Sequence, residues 1–298
     1  MQFRPEIVKL VDEVIAEFGD YDLDIRDEAD RKASADEAAS KSNYLNAHRH
    51  EYLRTVQDLT DHFGDRKDVR VFEIGAFFGV VCICLARLGY DVTASDVPEY
   101  MSMPEQEARF AKEGIAVHQM RLQDYVFDQE DGAYDAVIMC EVLEHLNFNP
   151  LPLIKEINRI LSPSGVFYVA LPNAASIYNR ISLLRGRMIG LSVEGFFDQL
   201  DPKSVMIIND HWREYTAPEV RYMLERMGFD IAKQYYFSLG ECQAAAGAAV
   251  GLRKKLARAF YKNFPQFKEN QTTLAVKRVD TPLRFRIPAT VHPTLREL

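Results

Sequence analysis

The stretch Asp68-Val-Arg-Val-Phe-Glu-Ile-Gly-Ala-Phe-Phe-Gly-Val80 decides the fold. Val69, Val71, Phe72 and Ile74 make the β-branched and aromatic run of a strand covered on both faces. Gly75 and Gly79 then punctuate a tight turn ahead of a second apolar run, Val80 to Leu85. The pattern predicts strand, glycine loop, helix. Glycine lets backbone come close to a ligand, and the helix that follows aims its positive end at whatever is bound. Asp91-Val-Thr-Ala-Ser-Asp96 reads as a second strand. It ends in a carboxylate about twenty residues past the loop, where such a group holds the hydroxyls of a nucleotide-like ribose.

Downstream, the alternation continues. Residues 104–113 read as a helix, Ile115 to Gln119 as a third strand, and Tyr134-Asp-Ala-Val-Ile-Met-Cys140 as a fourth, nearly continuous in apolar character. Leu153, Ile154, Ile157, Ile160 and Leu161 mark another helix, stopped by Ser162-Pro-Ser-Gly165, and Val166 to Leu171 a fifth strand. Strands alternating with helices across short loops predict a doubly wound, Rossmann-like α/β sheet with ligand at the carboxyl ends of its strands.

Upstream, Ile7, Val11, Val14 and Phe18 fall at helical spacing, so residues 4–18 are expected as an amphipathic helix. Residues 19–42, rich in Asp, Glu, Ala and Ser, suit either a linker or a solvated helix. Helical periodicity resumes from Asn43 to Phe63, with Arg49 and His50 read as surface charge near the ligand edge. Residues 172–215 break the rhythm after a strand end, and their Asn, Arg and aromatic content reads as a substrate lid. Thr216-Ala-Pro-Glu219 is a capping box opening a helix that Gly228 ends. Ile231 to Phe237 and Thr272 to Val276 are two late strands. Between them lies a basic amphipathic helix, residues 252–264, whose Arg253, Lys254, Lys255, Arg258 and Lys262 either touch an anionic membrane surface or form a solvated face. The expected organisation is an N-terminal helical cap (1–63), a main domain (64–278) with the lid (172–215) and a basic helical insertion (243–268), and a tail (279–298).

A chain of 298 residues with 47% hydrophobic content can bury one large core. Its net charge of −8 argues against a general nucleic-acid binder, which needs a basic face to neutralise phosphates. Cys82, Cys84, Cys140 and Cys242 show no C-x-x-C spacing and read as reduced thiols, which with the absence of an N-terminal signal pattern or a long apolar span predicts a soluble, cytoplasmic protein.

Several motifs now carry a resemblance. Glu73-x-Gly75-x-x-x-Gly79, Asp96, Tyr134-Asp135 leading to Glu141-Val-Leu-Glu-His145, and Leu161-Ser-Pro-Ser-Gly165 followed by Leu171-Pro-Asn173 together resemble a class I S-adenosylmethionine-dependent methyltransferase. The resemblance covers roughly residues 68–278 and implies a seven-stranded sheet whose last strand is antiparallel. It also implies that Glu73, Gly75, Ala76 and Gly79 hold the methionine end of the cofactor, Asp96 the ribose, Val97 and Leu122 the adenine, and Cys140 and Glu141 the edge beside the sulfonium. One departure is Phe77, where the family usually has glycine. A bulky side chain there either points away from the cofactor or alters its pocket.

Glu141, Glu144 and His145 share one face if they lie on a helix, which makes Glu144 and His145 candidate catalytic groups. With His211 from the lid, they form a ligand set suited to Mg²⁺ or Mn²⁺. The set resembles the metal site of small-RNA 2′-O-methyltransferases, and its first part resembles the ubiquinone-pathway O-methyltransferases. The alternative use of His145 or His211 is as general base on a substrate hydroxyl. The expected activity is O-methylation of a sugar or glycan hydroxyl. An RNA end, a small phenol or amine, and a catalytically silent binding subunit are the alternatives.

Overall fold

The computed structural model describes residues 3–18, 38–193, 197, 211–238 and 252–284. The expectations for 19–37, for part of the expected lid (194–196 and 198–210), for Cys242 and for the tail beyond 284 lie outside these residues. The chain runs α1 (Pro5–Ala16), α2 (Ala38–Phe63), β1 (Arg70–Ile74), α3 (Val80–Arg87), β2 (Asp91–Asp96), α4 (Pro98–Met101), α5 (Pro104–Lys112) and β3 (Ala116–Gln119). It continues through β4 (Tyr134–Cys140), α6 (Leu151–Ile160), β5 (Leu161–Pro172), α7 (Ile177–Leu184), α8 (Ala217–Arg226), β6 (Phe229–Phe237), α9 (Leu252–Asn263) and β7 (Asn270–Lys277).

The seven strands form one sheet in the order β3-β2-β1-β4-β5-β7-β6. β1 to β5 pair in parallel, and β7 runs antiparallel to both β5 and β6. The order reverses between β1 and β4, the switch point outside which a doubly wound sheet opens its ligand crevice. Strand alternation divides the core. Val71, Ala136, Ile138 and Tyr168 pack with Ile7, Val11, Leu53, Val56 and Phe110 on one face. Phe72, Val137, Met139 and Phe167 pack with Leu153, Ile157, Val220 and Leu224 on the other. Helices cover both faces, so the central strands β1, β4 and β5 are buried along most of their length.

The helices start and stop for local reasons. Thr216 and Glu219 make the reciprocal capping box at the head of α8. Gly228 follows its C-cap at φ 92° and sends the chain into β6. The Ser162–Gly165 segment is not a loop separating helix from strand: α6 ends at Ile160, and β5 starts at once from Leu161, with Ser164 at φ 62°.

α2 is more than a surface helix. Its buried Asp58 accepts from Lys233 Nζ at 2.6 Å and from the hydroxyls of Tyr235 and Tyr168, tying the helix to β6 and β5. His50, read from the sequence as surface charge, is buried, with Phe3 edge-on at 5.2 Å and the Arg54 guanidinium beside it. Phe3 and Phe237 cover this face, and burial together with Arg54 pushes the imidazole pKa down to about 3. Arg49 does lie at the surface, where it pairs with Asp12.

Asp58→Ala would leave a lysine and two tyrosine hydroxyls without their common acceptor. It is expected to cost about 2–4 kcal/mol, read as a lower urea midpoint with unchanged slope.

Candidate active site

The glycine loop leaves β1 as the sequence predicts, although for a different local reason. Gly75 and Gly79 have φ of 75° and 77°, the left-handed region that glycine enters freely. A Cβ on Gly75 would lie 2.3 Å from Val142 Cγ2, and one on Gly79 2.3 Å from Phe110 Cε1. Neighbouring side chains, rather than open space, demand these glycines. Phe77 also adopts positive φ, 45°, and its ring packs against Phe78 and Tyr100 with centroids 4.2 and 4.8 Å away. Aromatic packing thus holds the loop in the shape a glycine would take.

A buried carboxyl, Glu73, and a half-buried one, Asp96, flank this loop. Asp96, at the end of β2, accepts the N–H of Phe77 at 2.9 Å on Oδ2 and that of Val97 at 2.7 Å on Oδ1. Each oxygen retains a lone pair for a further donor. Burial pushes its pKa up to about 6 despite those two bonds. Glu73 on β1 accepts the Cys82 thiol from α3 at 2.7 Å and is raised by burial to about 7. Two desolvated acids at adjacent strand ends suit a ligand that brings a cation and hydroxyl donors, as the amino group and ribose of S-adenosylmethionine would. Val97 and Leu122 are half-buried, at the end of β2 and in a short turn after β3.

At the end of β4 the helix expected for Glu141 to His145 does not form. Cys140 is followed by Glu141 at φ 53°, and Leu143–His145 make a single 3₁₀ turn. Glu141 is therefore not placed by helical spacing, although its carboxyl still meets that of Glu144. Among the described residues, the side chains that come together are Glu144, His145 and His211, with ligand atoms all within 4.8 Å of one another. The backbone N–H groups of Trp212 and Arg213 donate to the Glu144 carbonyl at 2.8 and 3.2 Å, which seats the end of the lid segment on this turn. The His145 and His211 rings meet edge-on with centroids 5.0 Å apart. Glu214 accepts from His211 Nδ1 at 3.1 Å and is itself held by Asn179 of α7. That bond assigns the proton to Nδ1 and leaves Nε2 as the basic nitrogen.

Glu144 is wholly buried, and neither of its carboxyl oxygens makes a hydrogen bond among the described residues; the same holds for Glu141 Oε1. Burial raises the pKa of Glu144 to about 7, and burial with the charges of Glu51 and Glu144 raises that of Glu141 well above the carboxylate range. Orphaned acid oxygens beside two imidazoles fit a divalent cation.

Sequence reasoning missed Glu51 and Thr55. Glu51 on α2 accepts from His48 at 2.7 Å and from Asn270 Nδ2 at 3.4 Å, and Thr55 Oγ1 lies 3.8 Å from Cys140 Sγ. The spacing His48, Glu51, Thr55 puts three polar groups on one helical face, and that was the available signal.

Glu73 also makes a stability prediction. The unfolded side chain loses its proton near 4.5 and the folded one near 7, so the native state holds the extra proton between these values. Its contribution to stability therefore falls as pH rises from 4.5 to 7 and stays low above. Glu73→Gln should raise stability of the unliganded protein by about 2 kcal/mol at pH 8 and by little near pH 4.5, measured by urea unfolding at both.

A family profile described as a methyltransferase domain matches residues 45–234. The ubiquinone biosynthesis O-methyltransferase of Rickettsia felis is 30% identical over 131 residues, covering 43% of this chain and 51% of that one. That of Rickettsia canadensis is 28% identical over 190 residues, covering 63% and 72%. The match to the Maricaulis maris protein of the same name covers 48% of its length, so the chain spans about half of the first curated relatives it matches. Among solved structures, the magnesium protoporphyrin IX methyltransferase of Synechocystis superposes with a TM-score of 0.50 at 14% identity, over 92% of this chain and 95% of that one. This last likeness carries the fold alone. With the family profile spanning most of the sheet and the sequence relatives aligned with it, the chain belongs to the class I S-adenosylmethionine-dependent methyltransferases.

Proposed function

We propose that this methyltransferase acts on a hydroxyl oxygen of a small molecule bearing neighbouring hydroxyl groups, a sugar, glycan or phenol, with a divalent cation held by Glu144, His145 and His211. The carrying observation is the convergence of those three side chains, within 4.8 Å, just past the end of β4. A hard cation there would chelate two adjacent oxygens and lower the pKa of one. The relatives' printed names support a hydroxyl acceptor. The carbohydrate expected from the sequence rests on the diol-chelating chemistry alone. Glu141, expected as a fourth ligand, lies outside the cluster and is assigned to the cofactor edge with Cys140.

S-adenosylmethionine supplies an electrophilic methyl group. In this reading Glu73 accepts its amino group, the loop of Gly75, Ala76 and Gly79 lies along its methionine portion, Asp96 receives ribose hydroxyls, and Val97 and Leu122 flank the adenine. The protein's task is to hold the acceptor oxygen in line and take up its proton. Positioning provides much of the rate. Nε2 of His211, oriented by Glu214, and the His145 ring stand ready as base or as ligand.

His145→Ala and His211→Ala are each expected to lower turnover by about a hundred-fold or more while S-adenosylhomocysteine still raises the melting temperature. A near-normal rate in either variant removes that residue from the chemistry. EDTA should abolish activity and Mn²⁺ restore it; activity indifferent to EDTA eliminates the cation and leaves the general base. Because a neutral Glu73 cannot pair with an ammonium group, S-adenosylhomocysteine affinity should fall by up to about ten-fold per pH unit below pH 7. Calorimetric titration at pH 8 and 6 reads this directly, and Glu73→Gln should bind weakly and without that slope.

A further inference from the structure

Fourteen large apolar side chains are exposed among the described residues, and ten of them fall in two short stretches, 178–197 and 256–264. Leu184, Met188 and Phe197 are 88%, 76% and 70% exposed, and Leu256 is 62% exposed. Single exposed apolar residues need no explanation, whereas a concentration of this kind does.

The two stretches are neighbours in space. The Arg180 guanidinium of α7 sits 4.9 Å over the ring of Phe267, which stacks on Phe260 of α9 with centroids 5.5 Å apart. Asn173, just before α7, donates to the carbonyls of Gln266 and Lys268. Both segments are predominantly basic. Residues 178–197 contain Arg180, Arg185 and Arg187 against one acid, Glu194, and residues 252–264 contain five Lys and Arg with no Asp or Glu. This occurs in a chain whose net charge is −8.

We propose that α7, the residues after it and α9 form a docking face for an anionic lipid bilayer. Exposed apolar side chains on two segments with an excess of cations match an acyl boundary beneath negatively charged headgroups. A second copy of the chain is a poor occupant, because the same face would bring like charge against like charge. α7 also bears Asn179, which holds Glu214 against His211, so docking sets the mouth of the active site at headgroup level. No helix among the described residues is long and apolar enough to cross a membrane, so the attachment is to one surface. The proposal does not depend on the acceptor.

The test is cosedimentation of the full chain with phosphatidylcholine vesicles, with and without phosphatidylglycerol, at low and high salt. Binding is expected only to the anionic vesicles and should weaken with salt. Arg185→Glu/Arg187→Glu and Leu184→Ser/Met188→Ser should each reduce partition by at least about ten-fold, with melting temperatures unchanged because all four side chains are exposed. Absence of binding to anionic vesicles overturns the proposal. So does binding that the charge reversal abolishes but the serine variant leaves intact, since that behaviour belongs to a polyanion such as nucleic acid or an acidic protein.

Discussion

Burying a carboxyl group without a cation costs a folded protein stability, and this chain gathers four carboxyls, two buried and two half-buried, around one crevice. Glu73 and Asp96 stand at the ends of β1 and β2, and Glu141 and Glu144 just past β4. Every other feature of the site accommodates that concentration. Asp96 is partly offset by two backbone N–H groups, and Glu73 by the thiol and backbone N–H of Cys82. Glu141 and Glu144 keep oxygens with no hydrogen bond among the described residues. Such acids are retained against their desolvation penalty when bound ligands supply the missing charge, which is how a site trades stability for affinity.

The elements outside the sheet bring that charge balance to the acceptor side. The chain before α8 meets the turn after β4 through the Glu144 carbonyl, which accepts the N–H groups of Trp212 and Arg213 and thereby sets His211 against His145. Glu214 and Asn179 then orient His211, so a chain of four polar side chains runs from the crevice to α7. From the opposite side α2 adds Glu51 and Thr55, anchored by Asp58 to β5 and β6. The N-terminal helices share a core with the sheet and contribute to the crevice wall as well as to its cover.

The strands were legible because each combines a short apolar run with a flanking turn signal, and their predicted bounds differ from the observed ones by a residue or a few. Glu73, Gly75, Gly79 and Asp96 were legible for the same reason, as strand-end residues at fixed spacing. The reading failed where a residue's surroundings come from distant chain. His50 looks like surface charge in a helix until Phe3 and Phe237 cover it. Glu141 to His145 look like one helical face until positive φ at Glu141 turns the chain. Phe77 looks disruptive in a glycine loop until Phe78 and Tyr100 are seen to hold it.

By itself the sequence determined the doubly wound sheet, since hydrophobic period and glycine spacing are local properties that survive in one dimension; the antiparallel last strand and the class of reaction were legible through the family resemblance of its motifs. Only the tertiary structure decided which acids and imidazoles meet. Backbone hydrogen bonds from Trp212 and Arg213 to the turn after β4 bring Glu144, His145 and His211 together, and no local pattern in the chain encodes that contact.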